Sequence, residues 1–188
     1  MHKSIPIVGI VAAGSNAGKT TLITKLIAEF TSRQIRVSVI KHAHHAFDID
    51  HKGKDSYNIR EAGAIQTLIA SNKRWALMTE IAAEPNLDDL IPQINPSYAD
   101  LILVEGFKNA AIPKIEVHRP SLNMPLLAAL QTNTPGHPLL NSHHELASPC
   151  IYAVASDTTL ELDLPVPVLD LNNTKQIADF IIKNIMHK

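Results

Sequence analysis

The sequence predicts an α/β fold in which a mostly parallel central sheet is flanked by helices. Apolar runs typical of buried strands alternate along the 188 residues with amphipathic segments typical of helices. One of these runs, 100–105, is apolar between its two terminal acids, as expected for a central strand covered on both faces. The length suits a single domain, 1–188, and we expect an insertion rich in proline and histidine at about 120–150.

Each element is predicted from its own pattern. Leu22, Leu26 and Phe30 recur at four-residue spacing and so lie on one apolar helix face. The expected helices cover 19–32, 55–62, 87–94, a modest 126–130, and a last helix that Asn172 or Asn173 caps and that runs to about 186. The expected strands cover 5–13, 35–40, 65–70, 75–79, 100–105, 114–118, 151–155 and the region 166–168. Since strands and helices alternate, a parallel sheet is expected.

A glycine-rich loop follows the first apolar run. Residues 13–20 read Ala-Gly-Ser-Asn-Ala-Gly-Lys-Thr and lie between a predicted strand and a predicted helix. Free N–H groups at the start of such a helix, and its positive dipole end, bind phosphate. The pattern therefore predicts a phosphate-binding loop in a three-layer fold of the P-loop NTPase kind. Ala13 stands where the consensus has glycine, which matters only if that position needs a positive φ.

The loop residues divide into defined roles. Gly14 and Gly18 let the backbone approach the phosphates, and Lys19 can reach the β- and γ-oxygens. The Thr20 hydroxyl is suited to ligate Mg²⁺. The expected nucleotide contacts are Gly14, Ser15, Asn16, Ala17, Gly18, Lys19, Thr20 and Thr21.

Acidic residues follow other predicted strands. Ligands of open parallel sheets lie at the carboxyl ends of the strands, and Glu105 occupies such an end, so we expect it to hold Mg²⁺ together with Thr20. The loop 41–54 leaves the same edge and supplies candidates for a second metal contact, of which Asp48 is preferred over Asp50 and Asp55. Asp157 follows the strand 151–155 and can accept from the N1 and N2 donors of guanine.

Histidines are concentrated in the loop 41–54. Neutral imidazoles at His42, His44, His45 and His51 are able to bind Zn²⁺ or Ni²⁺, but the spacing is a weak signal and no cysteine supports it. Contact with phosphate, substrate or a partner is the preferred interpretation. Cys150 is the only cysteine, which excludes an intramolecular disulfide and a cysteine-rich zinc site.

Bulk charge and the N-terminus restrict the function class. The net charge is -1 at pH 7, so the chain has no basic footprint for nucleic acid or an anionic membrane. The N-terminal apolar run is interpreted as a buried strand and not as a signal peptide, because cleavage after Ala13 would destroy the glycine-rich motif. A cytoplasmic protein is therefore expected.

Several sequence blocks, in this order, resemble the molybdopterin-guanine dinucleotide biosynthesis protein B (MobB) family. They are A-G-S-N-A-G-K-T-T at 13–21, I-K-H-A-H-H at 40–45, G-K-D-S-Y at 53–57, R-W-A-L-M-T-E at 74–80, L-I-L-V-E-G-F-K at 101–108 and A-V-A-S-D at 153–157. The loop is common to many families, whereas the histidine block joined to G-K-D-S and V-E-G-F-K is specific. The family tolerates alanine in the first position of the loop.

The resemblance implies a function and a set of site residues. It implies a homodimer that binds GTP and Mg²⁺, hydrolyses GTP weakly and assists a partner enzyme that attaches GMP to molybdopterin. Gly18, Lys19 and Thr20 carry over as phosphate and metal contacts, Glu105 as the strand-end acid and Asp157 as a base contact. Direct contact with molybdopterin is left open.

Two other function classes fit the same loop. A small-molecule kinase would need a substrate pocket with a catalytic acid and a lid that is often rich in arginine, and Arg119 is the only arginine that 106–150 offers for such a lid. A metallochaperone GTPase would use His42, His44 and His45. Arg60 and Arg74 are expected to form structural salt bridges, and no catalytic residue is identified for hydrolysis.

Overall fold

The structure is a computed structural model that describes residues 4–43, 50–130 and 150–187. The chain forms two compact units, Met1–His42 together with Leu90–Lys188, and Ala43–Asp89. The sequence-predicted residues His44, His45 and Asp48, and most of the proline-rich segment, lie outside the described residues.

The larger unit contains a six-stranded parallel sheet, which confirms the predicted fold class. The strands of the chain are β1 Ile7–Val11, β2 Val37–Lys41, β3 Gln66–Ala70, β4 Trp75–Thr79, β5 Leu101–Glu105, β6 Lys114–His118, β7 Ile151–Ser156 and β8 Val168–Asp170. The sheet order is β2-β5-β1-β6-β7-β8, and every pairing in it is parallel. β1 therefore lies between β5 and β6, so the ends of these three strands are neighbours.

Both faces of this sheet are covered by apolar side chains, as a parallel sheet requires. Helices α1, Lys19–Ser32, and α4, Thr174–Ile181, pack on one face. The cluster on that face includes Val8, Ile10, Leu22, Leu26, Phe30, Leu103, Ile115, Ala153, Ile177 and Ile181. A smaller cluster contains Val11, Leu126, Ala128, Ile151 and Val154. Val8 and Ile10 of β1 thus pack in the first cluster and Val11 in the second, because successive side chains of a strand point to opposite faces of the sheet.

Helix ends follow local chemistry. Asn173 caps α4, since its side-chain oxygen accepts from the N–H of Gln176, which decides between the two predicted caps. The helix expected at 87–94 is shorter: α3 covers Leu87–Leu90 and continues as a 3₁₀ turn, Ile91–Gln93, because Pro92 disfavours the α conformation of the residue before it. The segment 126–130 forms a 3₁₀ turn, Leu127–Leu130, instead of an α-helix.

The smaller unit contains an antiparallel hairpin that the sequence pattern did not predict. β3 and β4 pair antiparallel and form a two-stranded sheet of their own. The connection 71–74 is too short for the crossover that a parallel pair needs. Helix α2, Asp55–Glu61, precedes the hairpin, and Arg60 forms the expected structural ion pair, with Glu80 at 3.2 Å.

Three ionisable residues of β6 are buried. Lys114 is 1 % exposed, Glu116 0 % and His118 9 %. The Glu116 carboxylate accepts from the N–H groups of Leu127 and Ala128 at 2.7 and 2.8 Å, and the Lys114 ammonium donates to the carbonyl of Ala110. Burial raises the pKa of Glu116, although the two hydrogen bonds to its carboxylate oppose this shift. Burial also lowers the pKa of Lys114.

The burial of His118 predicts an acid-dependent loss of stability. Desolvation lowers the pKa of His118 below its ordinary value of 6.5, although the nearby Asp157 opposes the shift. Near its pKa, His118 binds fewer protons in the folded state than in the unfolded state. The stability that the neutral, buried imidazole contributes is therefore fully present above pH 6.5 and is lost as the pH falls through the folded pKa. The free energy of unfolding in urea is expected to fall less between pH 7 and pH 5 in His118→Gln than in the wild type. His187→Gln, at an exposed site, is the control, and equal slopes for wild type and His118→Gln would contradict the prediction.

Candidate functional site

The glycine-rich loop joins β1 to α1 and has the backbone conformation that its sequence predicts. Gly18 has φ +98° and directly precedes the first helical residue, so a side chain there would be strained. Asn16 also has a positive φ, +62°, whereas Ala13 does not. Alanine in the first loop position therefore causes no backbone strain. A Cβ on Gly14 would lie 3.0 Å from the Met124 side chain, which leaves little room for a larger residue.

Lys19 lies against the loop. Its ammonium donates to the carbonyl of Gly14 at 3.0 Å, across the turn, and the residue is half-buried. The Lys19 ammonium therefore lies close to the free N–H groups of the first turn of α1. An anion bound there would meet a positive charge and the positive end of the helix dipole together.

Thr20 and Glu105 are in contact, as the sequence predicted. The Thr20 hydroxyl lies 2.9 Å from Oε1 and 3.1 Å from Oε2 of Glu105, to which it donates. This contact arises because β5 lies beside β1, so the acid at the end of β5 lies beside the helix that follows β1. Hydroxyl and carboxylate oxygens are the ligands that Mg²⁺ prefers, so the two side chains fit a magnesium ion.

A third side chain, Lys41, completes this contact. Its ammonium lies 3.3 Å from Oε2 of Glu105 and 3.5 Å from the Thr20 hydroxyl. Lys41 is the last residue of β2 and is the register partner of Glu105. No role for Lys41 was predicted from the sequence. The signal was available, because Lys41 ends an apolar strand just as Glu105 does, but the adjacency of β2 and β5 was not predictable from the pattern.

Backbone packing fixes the segment after Glu105. The His42 N–H donates to the carbonyl of Glu105 at 2.9 Å, and the His42 ring lies 4.9 Å from the Phe107 ring. Gly106 has φ +96°, and a Cβ there would lie only 2.7 Å from Cβ of His42. Glycine is therefore required at this position both by conformation and by space.

This close approach predicts a destabilised Gly106→Ala variant. The matched control is Gly63→Ala, because Gly63 has φ +107° but no neighbouring atom within 4 Å of a Cβ. Both variants have the backbone strain, and only Gly106→Ala has the clash, for which overpacking costs about 1–3 kcal/mol. Urea unfolding should give a lower stability for Gly106→Ala than for Gly63→Ala by about that amount. Equal losses would show that the His42 contact does not restrict position 106.

Arg119 connects the loop to the end of β7. Its Nε donates to the carbonyl of Ala17 at 3.0 Å, and its Nη1 lies 2.5 Å from Oδ2 of Asp157. A Cβ on Gly18 would lie 3.5 Å from Nη2 of the same guanidinium. From the sequence, Arg119 was a candidate only for the cation of a lid. The structure brings it to the phosphate loop because β6 and β7, which precede Arg119 and Asp157, are neighbouring strands.

A groove lies at the carboxyl ends of β7 and β8. Its volume is about 520 Å³. The side chains that line it are mostly polar: Ser156, Asp157, Thr158, Thr159, Leu160, Val168, Leu169, Asp170 and Asn172. Asp157 is thus on the wall of a groove large enough for a planar ring.

The other predicted metal residues are in the smaller unit or outside the described ranges. Asp50 is buried there and accepts from the His51 N–H and the Ser56 hydroxyl at 3.0 and 2.9 Å. Asp55 begins α2. Within residues 4–43, 50–130 and 150–187, no group of three or more His, Cys, Asp or Glu side chains is arranged to hold a metal ion. None of the helices in these ranges has the length and apolar character needed to span a bilayer.

Comparison with known proteins identifies close similarity. A family model described as Molybdopterin guanine dinucleotide synthesis protein B matches residues 7–134, which include the phosphate loop, Lys41, Glu105 and Arg119. The molybdopterin-guanine dinucleotide biosynthesis adapter protein of Haemophilus influenzae is 43 % identical over 187 residues, 100 % of this chain and 93 % of that protein. The protein of the same name from Escherichia coli is 44 % identical over 92 % of this chain and 89 % of its own length.

Solved structures of proteins with the same family name have a similar fold. A crystal structure of a molybdopterin-guanine biosynthesis protein B has a TM-score of 0.65 and 26 % identity, and covers 94 % of this chain and 97 % of that one. The MobB homologue from Bacillus stearothermophilus has a TM-score of 0.64 and 25 % identity, covering 94 % and 95 % of the two chains.

Proposed function

The chain belongs to the molybdopterin guanine dinucleotide synthesis protein B family, and from this premise we propose that it is a cytoplasmic GTP-binding adapter in the assembly of molybdopterin guanine dinucleotide. The observation that carries the nucleotide part is the contact of Thr20 with Glu105 beside the phosphate loop. The adapter part rests on the names of the relatives from Haemophilus influenzae and Escherichia coli.

The residues of the loop have complementary roles in this proposal. Residues 14–21 surround the phosphates, with the backbone N–H groups and the Lys19 ammonium as donors. Thr20 and Glu105 hold Mg²⁺, which neutralises charge on the β- and γ-phosphates when it is bound. Asp48 remains a candidate for a further metal contact.

Hydrolysis of GTP by this protein is proposed to be weak. Arg119 contacts the loop, but its guanidinium is already engaged by the Ala17 carbonyl and by the Asp157 carboxylate. Fast phosphoryl transfer depends on such a cation and on a group that orients water. The proposal is therefore an accessory protein whose nucleotide state controls a partner, and not an efficient hydrolase.

The groove at the ends of β7 and β8 is the proposed site of the guanine base. The Asp157 carboxylate accepts from the N1 and N2 donors of guanine, while adenine presents an acceptor at N1. The Arg119 ion pair supports this role, because it holds the carboxylate in one orientation.

The proposed partners are the guanylyltransferase that attaches GMP to molybdopterin and a second copy of this chain; direct contact with molybdopterin is a further candidate interaction. The hairpin of the smaller unit supports an interface, since Leu68, Trp75 and Leu77 are 60 %, 62 % and 43 % exposed. A two-stranded hairpin is marginally stable in water unless it packs against another surface. Sedimentation analysis would distinguish a homodimer from a monomer.

Reconstitution tests the adapter function. The guanylyltransferase of the same organism is assayed for formation of the dinucleotide from molybdopterin and GTP, with and without this protein. The protein is expected to raise the yield, and the Lys19→Ala variant, which lacks the phosphate cation, is expected not to do so. Lys25→Ala is the matched control, because Lys25 is exposed on the same helix. Equal yields with and without the protein would overturn the adapter function.

A further inference from the structure

Lys41 holds the carboxylate that the proposed metal site needs. Its ammonium lies 3.3 Å from Oε2 of Glu105, while the Thr20 hydroxyl lies 2.9 and 3.1 Å from the two carboxylate oxygens. A cation, an acid and a hydroxyl therefore meet at one point, where the ends of β2 and β5 lie beside the first turn of α1. This contact involves only residues of the larger unit.

The ammonium and a magnesium ion would compete for Glu105. Both are cations, both bind the same carboxylate oxygens, and they repel each other at short range. A single positive charge on Lys41 already offsets the negative charge of Glu105. Mg²⁺ alone would have to displace that charge with no anion to compensate, so weak metal binding is expected before the nucleotide binds.

The side chain of Lys41 is free to move when the metal arrives. The Lys41 side chain is 53 % exposed, whereas that of Glu105 is 12 % exposed, so water and salt reach the ammonium end of the ion pair and weaken it there. A phosphate bound at the start of α1 would be within reach of this ammonium, since the ammonium is also 3.5 Å from the Thr20 hydroxyl on that turn. The lysine stem is flexible and can make such a move without a change in the backbone.

We propose that Lys41 exchanges Glu105 for the γ-phosphate when Mg²⁺ and GTP bind together, and that it thereby determines the preference for the triphosphate over the diphosphate. The inference rests on the proposed GTP site and adds to it a specificity-determining residue. In the nucleotide-free protein, Lys41 opposes metal binding at Glu105. In the GTP complex it supplies a second cation to the phosphate that GDP lacks.

Calorimetry on three proteins tests the nucleotide preference. GTP and GDP are titrated in the presence of Mg²⁺ into the wild type, Lys41→Met and Lys108→Met. The last is the matched control, because Lys108 is an exposed lysine three residues after Glu105. Lys41→Met is expected to lose about tenfold or more in GTP affinity and about threefold or less in GDP affinity, while Lys108→Met keeps both. Lys41→Arg, which keeps the charge, is expected to retain most of the preference for GTP.

A metal titration tests the other half of the exchange. Mn²⁺, followed by electron paramagnetic resonance in the absence of nucleotide, is expected to bind Lys41→Met several-fold more tightly than the wild type. Equal losses of GTP and GDP affinity in Lys41→Met, or an unchanged Mn²⁺ affinity, would overturn the inference alone. A wild-type protein that binds no GTP would instead overturn the proposed function, and the inference with it. Thermal unfolding of each variant identifies any loss that comes from misfolding.

Discussion

Replacement of Lys19 with alanine is expected to reduce the affinity for GTP by about 100-fold or more, to the point where calorimetry detects no binding. The substitution removes the cation that lies across the loop at Gly14. Hydrogen bonds to charged groups contribute roughly 1.5–3 kcal/mol each, the ammonium can donate to both the β- and the γ-phosphate, and every 1.4 kcal/mol changes an affinity about tenfold. The measurement is a titration of GTP with Mg²⁺ into wild type and variant at one salt concentration.

Lys25→Ala is the control for this experiment. It removes the same charge from the same helix, but at an exposed position outside the loop. Its GTP affinity should match that of the wild type within about twofold, since distant exposed charges are screened. Unchanged affinity in Lys19→Ala would mean that the loop does not bind phosphate.

Replacement of Glu105 with glutamine is expected to remove most of the effect of Mg²⁺ on GTP binding. The amide keeps the size of the side chain and its contact with Thr20, but it lacks the charge that a divalent ion requires. In the wild type, Mg²⁺ should tighten GTP binding, and in Glu105→Gln this gain should fall by about tenfold or more. Metal-free binding should stay the same or become tighter, because the substitution removes an anion close to the phosphates.

Titrations with Mg²⁺ and with a chelator give both quantities for each protein. Glu61→Gln provides the control, because Glu61 is exposed at the end of α2 and belongs neither to the loop, nor to β5, nor to the groove. If Glu105→Gln weakens GTP binding equally with and without Mg²⁺, Glu105 does not hold the metal.

The pairing of Thr20 with Glu105 was predictable from the sequence because it depends on a general property of parallel sheets. The loop fixed the position of one residue, and the apolar run before Glu105 indicated a buried strand whose end carries an acid. Since the acid at the end of such a strand holds Mg²⁺ beside the loop in P-loop proteins, the two residues were expected to meet, although the pairing of β1 with β5 was not itself predicted. Their oxygens lie within about 3 Å.

Lys41 and Arg119 were not predicted, and the reason is strand order. Both lie at strand ends, Lys41 as the last residue of β2 and Arg119 directly after β6, but a sequence pattern does not indicate that β2 pairs with β5 or that β6 pairs with β7. The position of Lys41 beside Glu105 and that of Arg119 beside Asp157 depend on those pairings. The position of Asp157 at a strand end was predicted, but its ion pair with Arg119 was not, because that pair depends on where Arg119 lies in the fold.

The hairpin was missed for a different reason. Residues 65–70 and 75–79 have strand patterns like those of the main sheet, so alternation favoured a parallel arrangement. The short connection at 71–74 was the contrary signal, since it can join only antiparallel strands.

In the proposed function, this chain binds GTP through the phosphate loop and recognises guanine in the groove beside Asp157. A calorimetric comparison of GTP, ATP and GDP, each with Mg²⁺, tests it most directly. We expect that GTP binds and that ATP binds at least about tenfold more weakly, because adenine cannot donate from N1 to the carboxylate. Equal or tighter binding of ATP would contradict the account and favour a phosphotransferase that uses the same loop.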